Sequence, residues 1–258
     1  MTKEKSNMYV RQYGFFNPAE QKVNVHIFGA GSIGSFLTLN LAKLGFEDIS
    51  IYDFDSIEEH NLPNQFYRVS DIGKPKVDAL KEIVKDFSGI DITAHNNKIT
   101  PKNAPDITEK INIDSLIVLA FDNLEARKMV YESVKGYPNK LLDVRMGGKG
   151  WEMFIIDLDD EDQCKVYEAS LENDTMDLPC GQQSIIFTLL NIASEISSII
   201  VKINNGEEYV SRLRRHMDSY LFIHSGNEEE EEEEEEEESE EIETEPTENE
   251  QEHLGPVV

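Results

Sequence analysis

Gly29-Ala30-Gly31-Ser32-Ile33-Gly34 follows a branched, apolar run, Val23–Phe28, and opens a stretch with apolar residues at helical spacing: Ile33, Phe36, Leu37, Leu41 and Leu44. In that context each glycine has a chemical use. Gly29 permits a tight turn, Gly31 lets a phosphate approach the backbone, and Gly34 allows the helix to pack close on the strand. The amides at the helix start, those of Ser32 and Ile33, then face an anion. Asp53 follows Gly34 by 19 residues at the end of a second apolar run, Ile49–Tyr52, close to where a ribose-binding acid is expected. Further polar residues come in order along the chain: Asp55 beside Asp53, then Asn61 and Gln65, Lys76 after Gly73, and Asp122-Asn123 with Arg127 four residues on.

These residues need a scaffold, and the chain alternates strand and helix. Val23–Phe28, Ile49–Tyr52, Ile90–Ala94, Ser115–Ala120, Leu141–Val144 and Glu152–Leu158 read as strands, and Ser32–Leu44, Lys76–Phe87 and Leu124–Val134 as helices. Alternation through about residue 145 argues an α/β fold of the Rossmann-like, doubly wound type, a mostly parallel sheet with helices on both faces. Asp122 then stands just after a buried strand, at the carboxyl edge where such sheets bind ligands. The apolar stretch Ile185–Ile203 is interrupted by Asn191, Ser194, Glu195, Ser197 and Ser198, which reads as a buried helix of a globular fold and not as a membrane span. Tyr209–Ile223 is expected to close the fold.

Charge divides the chain. The 258 residues carry 24 Lys and Arg against 52 Asp and Glu, a formal charge of −28, but 18 of the acids lie from Glu228 onward, so residues 1–227 are only −10. Eleven consecutive glutamates, Glu228–Glu238, repel one another and offer no apolar surface to offset the entropy of ordering. The organisation expected is an N-terminal arm, 1–22, a nucleotide-binding domain, 23–225, and a disordered Glu-rich tail, 226–258. The acidic balance opposes non-specific attraction to nucleic acid or an anionic membrane. Two cysteines, Cys164 and Cys180, are too few for a disulfide scaffold and suit a reducing, cytoplasmic setting. Arg212, Arg214, Arg215 and His216 form a small basic cluster, read as a solvated helix face or a partner for the acidic tail before an RNA site.

Taken together and in order, Gly-x-Gly-x-x-Gly, Asp53-x-Asp55, Asn61-Leu62-Pro63-Asn64-Gln65, Gly73-x-x-Lys76 and Asp122-Asn123-x-x-x-Arg127 resemble the signature of the ThiF/MoeB/HesA family, relatives of the ubiquitin-activating enzymes. The likeness spans about residues 9–205. It implies an ATP- and Mg2+-dependent adenylyltransferase that activates the C-terminal carboxylate of a small ubiquitin-like or sulfur-carrier protein ending in Gly-Gly, releasing pyrophosphate. On that resemblance Asp53 holds the ribose, Asn61 and Lys76 contact the phosphates, and Asp122 binds the metal. A cation beside the α- and β-phosphates has a physical task, because charge builds up there as the carboxylate attacks. Tyr9-Val10-Arg11-Gln12 is similar to an N-terminal motif whose arginine reaches into the partner's ATP site, so Arg11 is expected to act in trans within a homodimer. Cys180, before the helix near 184, matches a loop whose cysteine receives the activated carboxylate, and a helix start lowers a thiol's pKa; an inert, buried cysteine is the competing reading.

The chain also departs from the pattern. Asn64 stands where many members have arginine, which removes one phosphate-binding cation; Arg68 or Arg127 is the candidate replacement. The paired Cys-x-x-Cys of zinc-bearing members is missing, with Tyr167 at the position matching the partner of Cys164, so no structural zinc is expected. Leu142–Gly148 and Val166–Leu171 resemble ThiF-like proteins of phages and mobile elements, which would put Arg145 near a substrate channel. Three alternatives remain open at this point. A tRNA-modifying dehydratase of the same fold needs a basic surface, a nucleotide-binding module without catalysis is favoured by Asn64, and a nicotinamide oxidoreductase leaves Asn61, Lys76 and Asp122 unexplained.

Overall fold

The computed structural model describes residues 8–172 except 110, 114 and 148, together with 185–217 and 223–224. These belong to the unit Met1–His224. Cys180 and the glutamate run lie outside the described residues.

Among the described residues eight strands form one sheet: β1 (Val25–Phe28), β2 (Ile49–Tyr52), β3 (Thr93–His95), β4 (Leu116–Leu119), β5 (Lys140–Gly147), β6 (Gly150–Asp157), β7 (Arg212–His216) and β8 (Ile223–His224). The helices are α1 (Ser32–Leu44), α2 (Lys76–Ser88), α3 (Ala104–Thr108), α4 (Leu124–Val134), α5 (Glu161–Glu172) and α6 (Ile186–Asn205). Strand order is β3-β2-β1-β4-β5-β6-β7-β8, parallel from β3 through β5 and antiparallel beyond. The chain winds outward from β1 to β3, then returns to the other side of β1 for β4. Neighbouring strands whose crossovers leave in opposite directions open a crevice at their carboxyl ends, so the β1/β4 boundary is the switch point of this sheet.

Residue alternation sends the strands' side chains to two cores. Val25, Ile27, Ile49 and Ile51 pack with Leu37 and Leu41 of α1 and with Ile192, Ile196 and Ile200 of α6. Phe28, Ile117, Leu119 and Leu141 face Val130 of α4 and Tyr167 of α5. By length and composition α6 could cross a membrane, but half of it is buried. Three of its interrupting polar residues have partners inside the fold: Asn191 accepts the Trp151 indole N–H at 2.9 Å and the Ser197 hydroxyl donates to Ala193 O at 2.6 Å. Glu195 lies 3.7 Å from Arg215. These bonds suit a core helix, although the buried Thr188 hydroxyl on the same helix has no hydrogen-bond partner among the described residues.

Several expectations shift. β3 lies at Thr93–His95 and not at 90–94, because Ile90 and Ile92 are buried in the loop that precedes it. α3 and α5 carry weak helical patterns and are fixed by packing; Cys164, Tyr167 and Leu171 of α5 fill the second core. The segment holding Arg212–Arg215 is a strand, β7, and not a helix face: its side chains alternate, Arg212 and Arg214 pairing with Glu152 on one side and Leu213 entering the α6 core on the other.

His26 sits on β1 with its Nδ1 3.1 Å from the Tyr52 hydroxyl, and Tyr52 stacks on His95 at 4.3 Å. Burial, reinforced by the nearby His95, lowers the His26 pKa from 6.5 to about 4. The folded state therefore holds His26 neutral where the unfolded chain takes up a proton. The stabilisation is complete above pH 6.5 and is lost as pH falls toward 4, by up to about 3 kcal/mol. In urea titrations at pH 7.5 and 4.5, the stability difference should shrink in His26→Gln; an unchanged difference would remove His26 as the cause.

Candidate active site

The site forms where the loops after β2, β1 and β4 meet at the carboxyl edge. Gly29 leaves β1 with φ +108°, and a Cβ there would lie 2.7 Å from Ala120 O in the neighbouring loop. The Ala120 N–H donates to Phe28 O at 2.8 Å, so the first and third loops touch through their backbones. Gly34 faces the strand end: its Cβ would lie 1.8 Å from Gly29 O. Gly31 differs, since nothing lies within 4 Å of where its Cβ would stand, and as N-cap of α1 it supplies no side-chain acceptor. The amides of Ser32, Ile33 and Gly34 open the helix beside that space, as an anion requires.

The two kinds of glycine separate in an experiment. Gly34→Ala should cost about 3 kcal/mol through overpacking against the Gly29 carbonyl. Gly31→Ala should leave the melting temperature nearly unchanged while abolishing any thermal shift on adding ATP. Equal destabilisation by both would remove the phosphate role of Gly31.

Asp53 does more than its spacing predicts. Its Oδ2 accepts the Ala30 N–H at 2.7 Å and its Oδ1 accepts the Asp55 N–H at 2.8 Å, so the carboxylate ties the glycine turn to the end of β2. Each oxygen retains a second lone pair for a ribose hydroxyl. The loop 61–67 closes the turn from the other side. The Tyr67 hydroxyl donates to Ala30 O at 2.6 Å, and the Phe66 N–H donates to Ser35 Oγ at 3.0 Å. Burial and the nearby Asp53 and Asp71 push the Tyr67 phenol well above its usual pKa, so it remains a donor. Nothing in the sequence pattern points to Tyr67, whose role depends on the fold of its loop.

Lys76, at the start of α2, is buried, and its Nζ lies 3.0 Å from Asp55 Oδ2. The two residues are also joined through the backbone, the Lys76 N–H donating to Asp55 O at 2.9 Å. Half of the Asp55 side chain is exposed, so the pair sits at the rim of the site with the cation inside. Asn61 is buried and its Oδ1 accepts the Glu58 N–H at 3.0 Å, a cap that orders the turn 59–61. Gln65 carries a buried Oε1 with no hydrogen-bond partner among the described residues. Such an atom costs stability unless something else bonds it.

Asp122 is exposed at the end of the loop after β4, beside the glycine turn. The N-cap of α4 is its neighbour Asn123, whose Oδ1 accepts the Ala126 N–H at 3.1 Å. That bond leaves the Asp122 carboxylate outside the cap. No group of three or more His, Cys, Asp or Glu able to hold a metal occurs among the described residues. A single hard oxygen ligand at Asp122 fits magnesium, which is commonly held by one or two carboxylates together with substrate phosphates and water.

The two replacement cations proposed for Asn64 are engaged elsewhere. Arg68 is exposed and lies 2.9 Å from Asp86 and 3.8 Å from Asp71. Arg127 is buried and pairs with the fully buried Asp143, while donating to the carbonyls of Phe121 and, at 2.9 Å, Val144. It therefore braces the loop that carries Asp122 and lies behind the phosphate space. Arg145 is also buried, 2.9 Å from Asp143 and 3.0 Å from Ser170 Oγ, at the predicted edge but wedged under α5. Cys164 is buried in the α4/α5 core, 3.6 Å from Leu158 O.

Arg11 is not brought to this site. Its arm docks at the opposite end of α1: Gln12 Nε2 donates to Leu44 O at 2.6 Å and Phe16 stacks on Phe46 at 4.5 Å. The 13 residues of α1 separate the two ends by about 18 Å at 1.5 Å per residue.

This geometry has known counterparts. Residues 9–238 match the ThiF family. Among curated proteins the chain is 37% identical over 110 residues to the NEDD8-activating enzyme E1 catalytic subunit of Arabidopsis thaliana, covering 42% of this chain and 23% of that one. It is 31% identical over 115 residues to the adenylyltransferase and sulfurtransferase MOCS3 of Culex quinquefasciatus, covering 44% and 26%. The matched part thus spans about a quarter of these relatives' length. Of solved structures, E. coli MccB with ATP superposes with a TM-score of 0.69 at 18% identity, covering 85% of this chain and 71% of that one. PaaA superposes with a TM-score of 0.68 at 19% identity, covering 86% and 83%. With its glycine turn, its Asp53 anchor and its Asp122 loop at the switch point of the sheet, this chain belongs to the ThiF family.

Proposed function

We propose that the protein is an ATP- and magnesium-dependent adenylyltransferase that activates the C-terminal carboxylate of a ubiquitin-like or sulfur-carrier protein ending in Gly-Gly. The observation that carries this reading is the open start of α1 at Gly31, flanked by Asp53, the buried Lys76 and the exposed Asp122. The α1 amides would hold phosphate oxygens, Asp53 the ribose and Lys76 the charge that develops on the α-phosphate. An oxygen of the carrier's carboxylate attacks the α-phosphorus, the bond to the bridging oxygen of the β-phosphate breaks, and pyrophosphate leaves. Magnesium bound at Asp122 supplies charge neutralisation on the phosphates. The protein supplies position and electrostatics, with no covalent nucleophile in this step.

The charge balance supports a further contribution from outside the protomer. Around the turn stand three carboxylates, Asp53, Asp55 and Asp122, and one buried cation, Lys76, already facing Asp55. A triphosphate carries about four negative charges, so one lysine and one metal leave it under-compensated, and an arginine from a second copy would correct that. Arg11, far from its own site, is the candidate, which makes the functional unit a homodimer. In a second step the Cys180 thiolate would attack the acyl carbon and expel AMP, leaving a thioester.

ATP–pyrophosphate exchange with magnesium and small proteins ending in Gly-Gly tests the first step. Exchange dependent on a carrier supports it; ATP binding without exchange for any carrier moves the reading to a nucleotide-binding module. Mixing Arg11→Ala with Lys76→Ala tests the trans role, since random pairing restores about a quarter of the sites if each site borrows its arginine. No recovery in a mixture shown to exchange subunits would overturn it. Cys180→Ala should leave exchange intact and abolish the thioester.

A further inference from the structure

The antiparallel half of the sheet carries an ordered set of charges that the adenylation chemistry does not use. Leu119, Asp143, Phe154 and Arg212 are aligned across β4, β5, β6 and β7, and two residues nearer the carboxyl edge Arg145, Glu152 and Arg214 form a second row. Alternation puts Asp143, Arg145, Glu152, Phe154, Arg212 and Arg214 on one face. Phe154 is buried between two guanidinium groups, with Arg145 4.9 Å and Arg212 5.0 Å from its ring centre. Glu152 is buried, and a single oxygen, Oε1, receives Arg212 Nε at 2.7 Å and Arg214 Nη2 at 3.1 Å. Its two arginine partners are not buried: Arg212 is 38% and Arg214 56% exposed.

Four guanidinium groups, Arg127, Arg145, Arg212 and Arg214, thus share two carboxylates, Asp143 and Glu152. Their net excess of positive charge faces outward at Arg212 and Arg214, on a body whose overall charge is −10. A buried glutamate that holds Arg212 through Nε and Nη2 and Arg214 through Nη2 fixes both exposed side chains while leaving the Nη1 of each for an anion, and preorganised guanidinium groups favour carboxylates.

Position says which carboxylates. Arg145, Glu152 and Arg214 stand two residues beyond Leu119 in register, level with Phe121 next to Asp122. Three strand spacings separate β4 from β7, about 14 Å, which an extended peptide crosses in about four residues. We propose that Arg212 and Arg214 read acidic side chains in the C-terminal segment of the carrier, about four to six residues before the carboxylate that is activated. The inference rests on the adenylation reading for the placement of that carboxylate. A nucleic acid is the weaker occupant, because two exposed arginines around a glutamate give little counterion release against an acidic body.

The test is binding of fluorescein-labelled decapeptides ending in Gly-Gly to the full chain, followed by anisotropy. Three peptides differ only in the fourth to sixth residues before the terminus: aspartates, serines or lysines. The aspartate peptide should bind about tenfold tighter than the serine peptide, with the advantage lost at high salt, and the lysine peptide weakest. Arg214→Gln keeps Arg212 on Glu152 and so protects the fold, with an unchanged melting temperature as the check; it should cut the aspartate preference severalfold. Arg214→Glu should reverse it toward lysine. Equal binding of all three peptides, no binding of any at low salt, or tighter binding of an oligouridylate than of the aspartate peptide would each overturn the assignment. Pyrophosphate exchange driven by each peptide keeps the two readings apart. Exchange without charge preference removes only the basic row, whereas charge-selective binding without exchange removes only adenylation.

Discussion

Lys76→Ala should lower carrier-dependent pyrophosphate exchange by about a thousandfold, the size of effect seen when one preorganised group is removed from a developing oxyanion. The loss should fall on kcat, with the KM for the carrier unchanged, because the proposed role of Lys76 is at the phosphates, away from the antiparallel half of the sheet. Stability should change little. The carboxylate left behind, Asp55, is 50% exposed and regains water, unlike a fully buried partner. Lys76→Arg would keep the charge but replace the compact ammonium with a planar fork, so it should not restore full exchange. Stopped-flow measurement of single-turnover pyrophosphate release by the alanine variant, with circular dichroism melting as control, checks both halves. Wild-type exchange in Lys76→Ala would assign the residue to Asp55 alone and leave the site without a cation of its own.

The second large effect is structural. Asp143 is fully buried, and its two oxygens serve Arg127 on one side and Arg145 and Tyr167 on the other, the Tyr167 hydroxyl at 3.0 Å. Asp143→Asn keeps the shape and removes the charge, leaving two buried guanidinium groups without a counter-ion. Removing one partner of a buried pair costs about 3–5 kcal/mol, and urea denaturation should show a loss in that range. Activity should fall as well, at temperatures where the variant remains folded. Arg127 donates to Phe121 O directly before Asp122, so a displaced Arg127 releases the loop that presents Asp122, the proposed metal ligand. The signature of that route is a higher magnesium requirement at saturating ATP. A variant that is destabilised but binds magnesium normally would confine the Asp143 cluster to packing.

Much of this site was legible one residue at a time. Gly29, Gly34 and Asp53 are readable because their tasks are local: a turn with positive φ, a close approach of helix to strand, and an acid one β-α-β unit downstream. Gly31 and Asp122 follow from the same reasoning, each standing at the end of a buried strand. Reading fails where the answer depends on what lies across a gap in sequence. Arg127 looks like a spare cation beside the missing arginine at Asn64, and Arg145 like a residue near a substrate channel, yet both are taken up by Asp143, a residue with no sequence signal of its own. Arg212–Arg215 looks like a helix face because charge alone carries no period; pairing with β6 makes it a strand with two different sides. The α5 helix, with few apolar residues in its pattern, is recovered only once Cys164, Tyr167 and Leu171 have a core to enter.

The sequence by itself determined the family, the parallel half of the sheet and the edge at which the candidate site lies. These follow from short-range rules, since strand, turn and helix are written in consecutive residues and the glycines tolerate no substitute where backbones touch. Only the tertiary structure decided which cations are available. A guanidinium or ammonium group is assigned by whichever carboxylate reaches it first, and apart from Asp143 and Arg145, two residues apart on β5, the carboxylates Asp55, Asp143 and Glu152 lie 16–62 residues away from their partners in the chain. Electrostatic pairing in a folded interior has no fixed spacing in sequence, so it separates Lys76 at the edge of the candidate site from Arg127 and Arg145 behind it and leaves Arg212 and Arg214 facing outward.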